Sequence, residues 1–134
     1  MRVAVVFDYF GVIASKYGQC EEPVMKIIKG GLYGKHKLAI LSNMSSGTTS
    51  EMLGKDEILF DEVILSANIG VGKPDIRAFL LAAQTLGEFP SNCIIIDDSA
   101  ANCAAAESLG MRAIHYVGPE NLQQKLQEYG ILTP

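Results

Sequence analysis

Five short apolar runs rich in β-branched residues recur along this chain, with helix-like stretches between them, and no other feature narrows the fold as far. The runs are VAVVF from Val3, LAILS from Leu38, EVILS from Glu62, CIIID from Cys93 and RAIHYV from Arg112. Strand alternating with helix is the pattern of βα units wound around a parallel sheet covered on both faces. DIRAFLLAAQTLG places Ile76, Phe79, Leu80 and Ala83 at helical spacing and ends on Gly87, a C-terminal cap. SAANCAAAESLG repeats the pattern with small residues that let a helix sit close to a sheet, and stops at Gly110. PENLQQKLQEYG starts on Pro119, carries Leu122, Leu126 and Tyr129 as its stripe, and ends at Gly130. Residues 14–37 are the least regular part, with Gly18, Pro23, Gly30, Gly31 and Gly34 around one short helical candidate, PVMKIIK. They read as a connector within a single domain spanning residues 1–134.

Charge and cysteine content exclude several partners. The 11 basic residues against 15 acidic ones give a net charge of −4, and no Lys/Arg run offers a footprint for phosphate backbones, so nucleic acid is not expected. The opening MRVAVVFDYF is too short an apolar run for a signal peptide or membrane span, which points to a cytoplasmic protein with no membrane partner. Cys20, Cys93 and Cys103 are odd in number and lack CxxC spacing, so they read as small buried or half-buried thiols. His36 and His115 lie far apart, which leaves no histidine-based metal site. IGVGKPD lacks the first glycine of a phosphate loop and has Pro74 where Ser or Thr belongs. DYFGVI, at the first βα turn, is no dinucleotide fingerprint.

In an open parallel sheet, ligands bind outside the carboxyl ends of the strands, where strand order reverses. Asp8 ends the first run, Ser42 and Asn43 the second, Asp97 and Asp98 the fourth, and Lys73 opens the helix before the fourth. Each alone has an ordinary explanation: Asp8 as a turn former, Asp98 or Ser99 as a helix cap, Ser42 and Asn43 as turn chemistry, Lys73 as a solvated cation. Their arrival at one edge from four separate segments is the functional signal. Carboxylates about 4 Å apart near a protein surface repel by roughly 4 kcal/mol. The acids must therefore shift a pKa, pair with Lys73 or hold a hard divalent cation; oxygen ligands with water favour Mg²⁺, which is the expectation.

FDYFGV, ILSN, GVGKPD and IIIDDSAAN, in this order and at these strand ends, resemble the four signature motifs of the haloacid dehalogenase-like (HAD) hydrolase superfamily, in its branch of small phosphatases and dehalogenases. The resemblance runs from the first strand to about Val117. It implies a Rossmann-like three-layer α/β/α sandwich with a five-stranded parallel sheet in the order 3-2-1-4-5. It implies that Asp8 is the nucleophile that forms an aspartyl-phosphate, that Ser42 binds the transferring group with Asn43 nearby, and that Lys73 neutralises Asp8 and the phosphoryl oxygens. It also implies Mg²⁺ held by Asp8, the backbone carbonyl of Phe10 and Asp98, with Asp97 acting through water. The expected partner is a phosphorylated substrate, small or macromolecular.

Two departures mark this chain. The phosphatase pattern of the superfamily is DxD, and its second Asp, the acid/base, is here Phe10. Losing a general acid typically costs about 10²- to 10⁴-fold, least for aryl and acyl phosphates, whose leaving groups depart without a proton. Dehalogenating members of the superfamily carry an aromatic at this position, although the paired acids of IIIDDSAAN belong to metal-using phosphatases. Residues 14–37 are also too few for the helical cap that this branch usually inserts, so no cap domain is expected and the crevice should be open. An open crevice suits a bulky substrate, a homo-oligomer that lids it, or a module that binds metal and phosphate without turnover. The reading is a Mg²⁺-dependent phosphatase, with the non-catalytic module and a haloacid dehalogenase as alternatives. A receiver-type phosphoacceptor is excluded because its acid pair follows the first strand.

Overall fold

A computed structural model describes residues 2–15, 17–44, 51 and 53–134. The elements run β1 (Ala4–Phe7), α1 (Glu22–Ile27), β2 (Lys37–Ser42), β3 (Glu62–Leu65), α2 (Ser66–Ile69), α3 (Ile76–Leu86), β4 (Cys93–Asp97), α4 (Ala100–Glu107), β5 (Arg112–His115) and α5 (Pro119–Glu128). All five strands are parallel in the order β3-β2-β1-β4-β5, the order expected from the resemblance. β1 is the central strand: Phe7 pairs with Ile40 on one side and with Ile96 on the other.

Period-two alternation assigns the side chains to two cores. Val5 and Phe7 of β1 join Ile40, Ile94 and Ile96, packed beneath Met25 and Ile28 and beneath Leu122 and Leu126 of α5. Ala4 and Val6 join Ala39, Leu41, Cys93 and Ile95 on the other face, covered by Phe79, Ala82 and Ala83 of α3 and Ala106 of α4. Helices thus lie on both faces, and the connections part on either side of β1, which opens a crevice between the ends of β1 and β4.

Several local expectations shift. The buried face of α3 is Ala78, Phe79, Ala82, Ala83 and Leu86, while Ile76 is exposed and Leu80 only partly covered. Alanines face the sheet because they allow the helix axis to come close. Gly87 takes the left-handed conformation that ends α3 (φ 68°), as its position in the sequence suggests. α4 stops at Glu107, ahead of Gly110, and its N-cap is Ser99, whose hydroxyl accepts from the Asn102 N–H. Cys93 and Cys103 are buried but Cys20 is exposed, since it lies in the irregular loop after β1 and outside both cores. That loop continues into α1 and a π-helical turn, Ile28–Leu32, before β2.

Candidate active site

The alternation that buries Val6, Leu41 and Ile95 carries one step further along each strand. It turns Asp8, Asn43 and Asp97 toward the face covered by α3, whose preceding loop holds Lys73. Asp75 caps α3 by accepting from the Arg77 N–H at 2.9 Å. The helix therefore begins at Ile76, and Lys73 lies in the loop before it, not at the helix start as the sequence suggests. The lysine is not solvated: its side chain is only 3% exposed. Its ammonium donates to Asp8 Oδ1 at 2.9 Å and to Asp97 Oδ2 at 2.7 Å. A single cation thus bridges the ends of the two central strands.

Asp97 is fully buried and its carboxylate is occupied by donors. Oδ1 accepts from the Ser99 N–H at 2.9 Å, and Oδ2 accepts from Asn102 Nδ2 at 3.1 Å as well as from Lys73. Asp98, one residue on, is exposed. One carboxylate oxygen from each of Asp8, Asp97 and Asp98 lies within 4.8 Å of the others. Burial pushes the Asp8 carboxyl up to about 6; the Lys73 ammonium opposes the rise and the Asp97 charge adds to it. This cluster fits a hard divalent cation, which would relieve the repulsion among carboxylates that one lysine only partly neutralises. Three donors already engage Asp97, so Asp8 and Asp98 have the freer oxygens to offer such an ion.

Two features that place Asp98 escaped the sequence reading. Gly11 has φ +96°, and a Cβ there would overlap the Asp98 carboxylate, so the absent side chain makes room for the acid. His115 ends β5, and its Nε2 donates to the Asp98 carbonyl oxygen at 3.0 Å. Asn102 was also missed as a partner of Asp97. Its place one helical turn after Ser99 is the available signal, because a capped helix start aims that side chain back at the strand end.

The remaining expected residues lie at the same edge. The turn after Asp8 is closed by Ile13 and Ala14 N–H groups donating to the Tyr9 oxygen, both at 3.0 Å, and by Gly11 N–H donating to Ala14. Phe10 sits in this turn, partly buried, its ring edge-on to Tyr9 at 5.0 Å between centroids. Ser42 is the last residue of β2, opposite Leu65 and buried. Asn43 is engaged with the backbone of Lys73: Nδ2 donates to its carbonyl at 3.0 Å, and Oδ1 accepts from its N–H at 2.9 Å.

Comparison with known proteins agrees with this fold. The family model described as haloacid dehalogenase-like hydrolase matches residues 22–110, a span that holds Ser42, Lys73, Asp97 and Asp98 but not Asp8. The chain belongs to that family of hydrolases. It is 34% identical over 126 residues to acyl-CoA dehydrogenase family member 10 of Mus musculus, covering 91% of this chain and 12% of that protein. It is 27% identical over 94 residues to fructose-1-phosphate phosphatase YqaB of Escherichia coli (strain K12), covering 69% of this chain and 50% of that one. The chain thus spans half or less of the length of these curated relatives. A crystal structure of a protein from Corynebacterium glutamicum superposes with a TM-score of 0.79 at 23% identity, covering 98% of this chain and 97% of that one. A HAD family enzyme from Bacteroides thetaiotaomicron, solved with magnesium and inorganic phosphate, superposes with a TM-score of 0.62 at 23% identity, covering 71% of this chain and 52% of that one. Among the described residues, no helix is long and apolar enough to cross a membrane.

Proposed function

We propose that this hydrolase is a Mg²⁺-dependent phosphatase that works through Asp8, and that it acts best on phosphate esters or anhydrides with good leaving groups. The observation that carries the proposal is the Lys73 ammonium seated between Asp8 and Asp97, with Asp98 beside them at the open edge. Phosphoryl transfer needs positioning and charge neutralisation more than covalent assistance, and this arrangement serves both.

An Asp8 oxygen attacks phosphorus, the bond from phosphorus to the leaving oxygen breaks, and the phosphoryl group remains on the carboxylate. Water then attacks phosphorus, releasing inorganic phosphate and restoring Asp8. Lys73 keeps Asp8 paired in the resting site and faces the charge that builds on the transferring oxygens. Asp97 anchors that ammonium from beneath, and Ser99 and Asn102 hold Asp97 in turn. Ser42, at the end of β2, is assigned to the phosphoryl group. A bound Mg²⁺, held by Asp8, Asp98 and the Phe10 carbonyl, would supply further positive charge next to the phosphoryl oxygens. The presence of magnesium and phosphate in the Bacteroides enzyme and the phosphatase activity named for the Escherichia coli relative support this reading. The substrate is phosphorylated and either small or macromolecular.

Phosphate release from an aryl phosphate in Mg²⁺ tests the proposal, with Asp8→Asn as control. The expected result is Mg²⁺-dependent release that falls at least about 10³-fold in the variant. Equal rates for the two proteins would overturn it.

Phe10 favours a second reading, a module that retains the phosphate and metal pocket without turnover. Its ring is packed on Tyr9 and has no proton to give or take. That reading predicts phosphate or Mg²⁺ binding with no hydrolysis. Halide release from a 2-haloacid without added metal would instead assign dehalogenation.

A further inference from the structure

We infer that Asn43 is a positioning residue that sets where the Lys73 ammonium stands, and that contact with the phosphoryl group is not its role; the inference rests on the proposed function of the Lys73 site. Lys73 is fixed at both ends. Its ammonium is held by Asp8 from β1 and Asp97 from β4, at 2.9 and 2.7 Å. Its backbone is held by Asn43, just past the end of β2, through a pair of hydrogen bonds of 3.0 and 2.9 Å that use both ends of the side-chain amide. The pair mimics a strand-to-strand exchange: a side-chain carbonyl accepts from Lys73 N–H while a side-chain N–H donates to Lys73 C=O. Only a planar amide supplies donor and acceptor side by side in this way.

Gly72 shows how closely the loop is drawn in. A Cβ at that position would stand 3.0 Å from Asn43 Oδ1, tighter than nearly all real contacts of this kind. The loop before α3 thus approaches the end of β2 through a glycine, and Asn43 fastens it there. Three strands converge on one lysine, and the contact from β2 is the one that sets the backbone. Without it the ammonium could still pair with either acid, but from a wider range of loop positions, and misplacement by even 1 Å carries a large cost in rate.

One N–H of the Asn43 amide remains after these bonds, so the test must separate positioning from substrate contact. Asn43→Leu keeps the shape and removes both bonds; Asn43→Asp keeps the acceptor for Lys73 N–H and removes the donor. Backbone amide exchange is followed at Lys73 and, as a control for folding, at Ile94–Ile96 of β4, alongside steady-state hydrolysis of an aryl phosphate with Mg²⁺. In Asn43→Leu, exchange at Lys73 should quicken at least about tenfold with the β4 amides unchanged, and kcat should fall at least about tenfold with KM within about twofold of wild type. In Asn43→Asp, most of the protection at Lys73 should return. Unchanged exchange at Lys73 in Asn43→Leu would overturn the inference, and so would a raised KM with kcat intact. Exchange is read without substrate, so it decides the role of Asn43 even if the protein hydrolyses nothing.

Discussion

Phe10 is two residues past Asp8 in a turn whose hydrogen bonds are made by Tyr9, Gly11 and Ala14, and its ring lies against Tyr9. None of these bonds uses a side-chain atom of Phe10. Phe10→Asp should raise hydrolysis of an alkyl phosphate about 10²- to 10⁴-fold while changing aryl phosphate hydrolysis far less. The ratio of the two rates checks this, and an unchanged ratio would mean that proton transfer is not what limits the wild type. Residue identities made much of this site legible: an acid after each of two apolar runs, with a lysine between them, is a charge problem with few solutions. The partner of Asn43 was not legible. It depends on the path of the loop around Gly72, and no side-chain pattern encodes a backbone carbonyl and N–H as partners. The space that Gly11 leaves for Asp98 was hidden for a similar reason, since it joins residues 87 positions apart.

α3 shows what periodicity conveys about an element and what it omits. The helix was readable from spacing and from Gly87, but its orientation only in part: Phe79 and Ala83 are buried as their spacing suggests, whereas Ile76 is exposed and Leu80 only partly covered. Ala82 and Ala83 share a core with the sheet's side chains, and Ala78 is buried. Close approach of the helix brings the preceding loop over the strand ends, where Lys73 meets the acids. Ala82→Leu should therefore destabilise the fold by about 1–3 kcal/mol, from overpacking in the core it shares with Val6 and Leu41. Chemical denaturation with an unchanged m value checks this, and stability equal to wild type would show that the helix has room to retreat. The helical stretch was read from Asp75 with Lys73 at its opening, whereas Asp75 is the cap and the helix starts at Ile76. Strand limits fared better, since runs such as CIIID are apolar on both sides in a way that only a covered strand requires.

At the scale of the whole molecule, the sheet order was expected and the long-range tie made by His36 was not. His36 is buried ahead of β2; its Nδ1 accepts from the Val3 N–H at 3.1 Å, and the ring also bonds the backbone at Ile131, past α5. Burial lowers its pKa below the ordinary 6.5, with the positive charges of Arg2 and Lys35 adding to the effect. The unfolded chain then binds the proton more readily, so His36 contributes stability that is present above about 6.5 and declines as pH falls through that value toward the folded pKa. Asp8, raised to about 6, contributes the opposite slope at lower pH, so the contrast with His36→Gln isolates the histidine. Denaturation midpoints between pH 7.5 and 5.5 should fall more steeply for wild type than for the variant. Parallel curves would remove His36 from this role. Beyond stability, the architecture brings the ends of β1, β2 and β4 to one edge around a single lysine, and the proposed chemistry requires Asp8 to be the nucleophile there. The most direct measurement is to mix the protein with an aryl phosphate and Mg²⁺, quench in acid, and weigh the peptide that carries Asp8. A phosphoryl group on Asp8, absent from Asp8→Asn, is the predicted result; phosphate released at full rate with Asp8 never modified would contradict it.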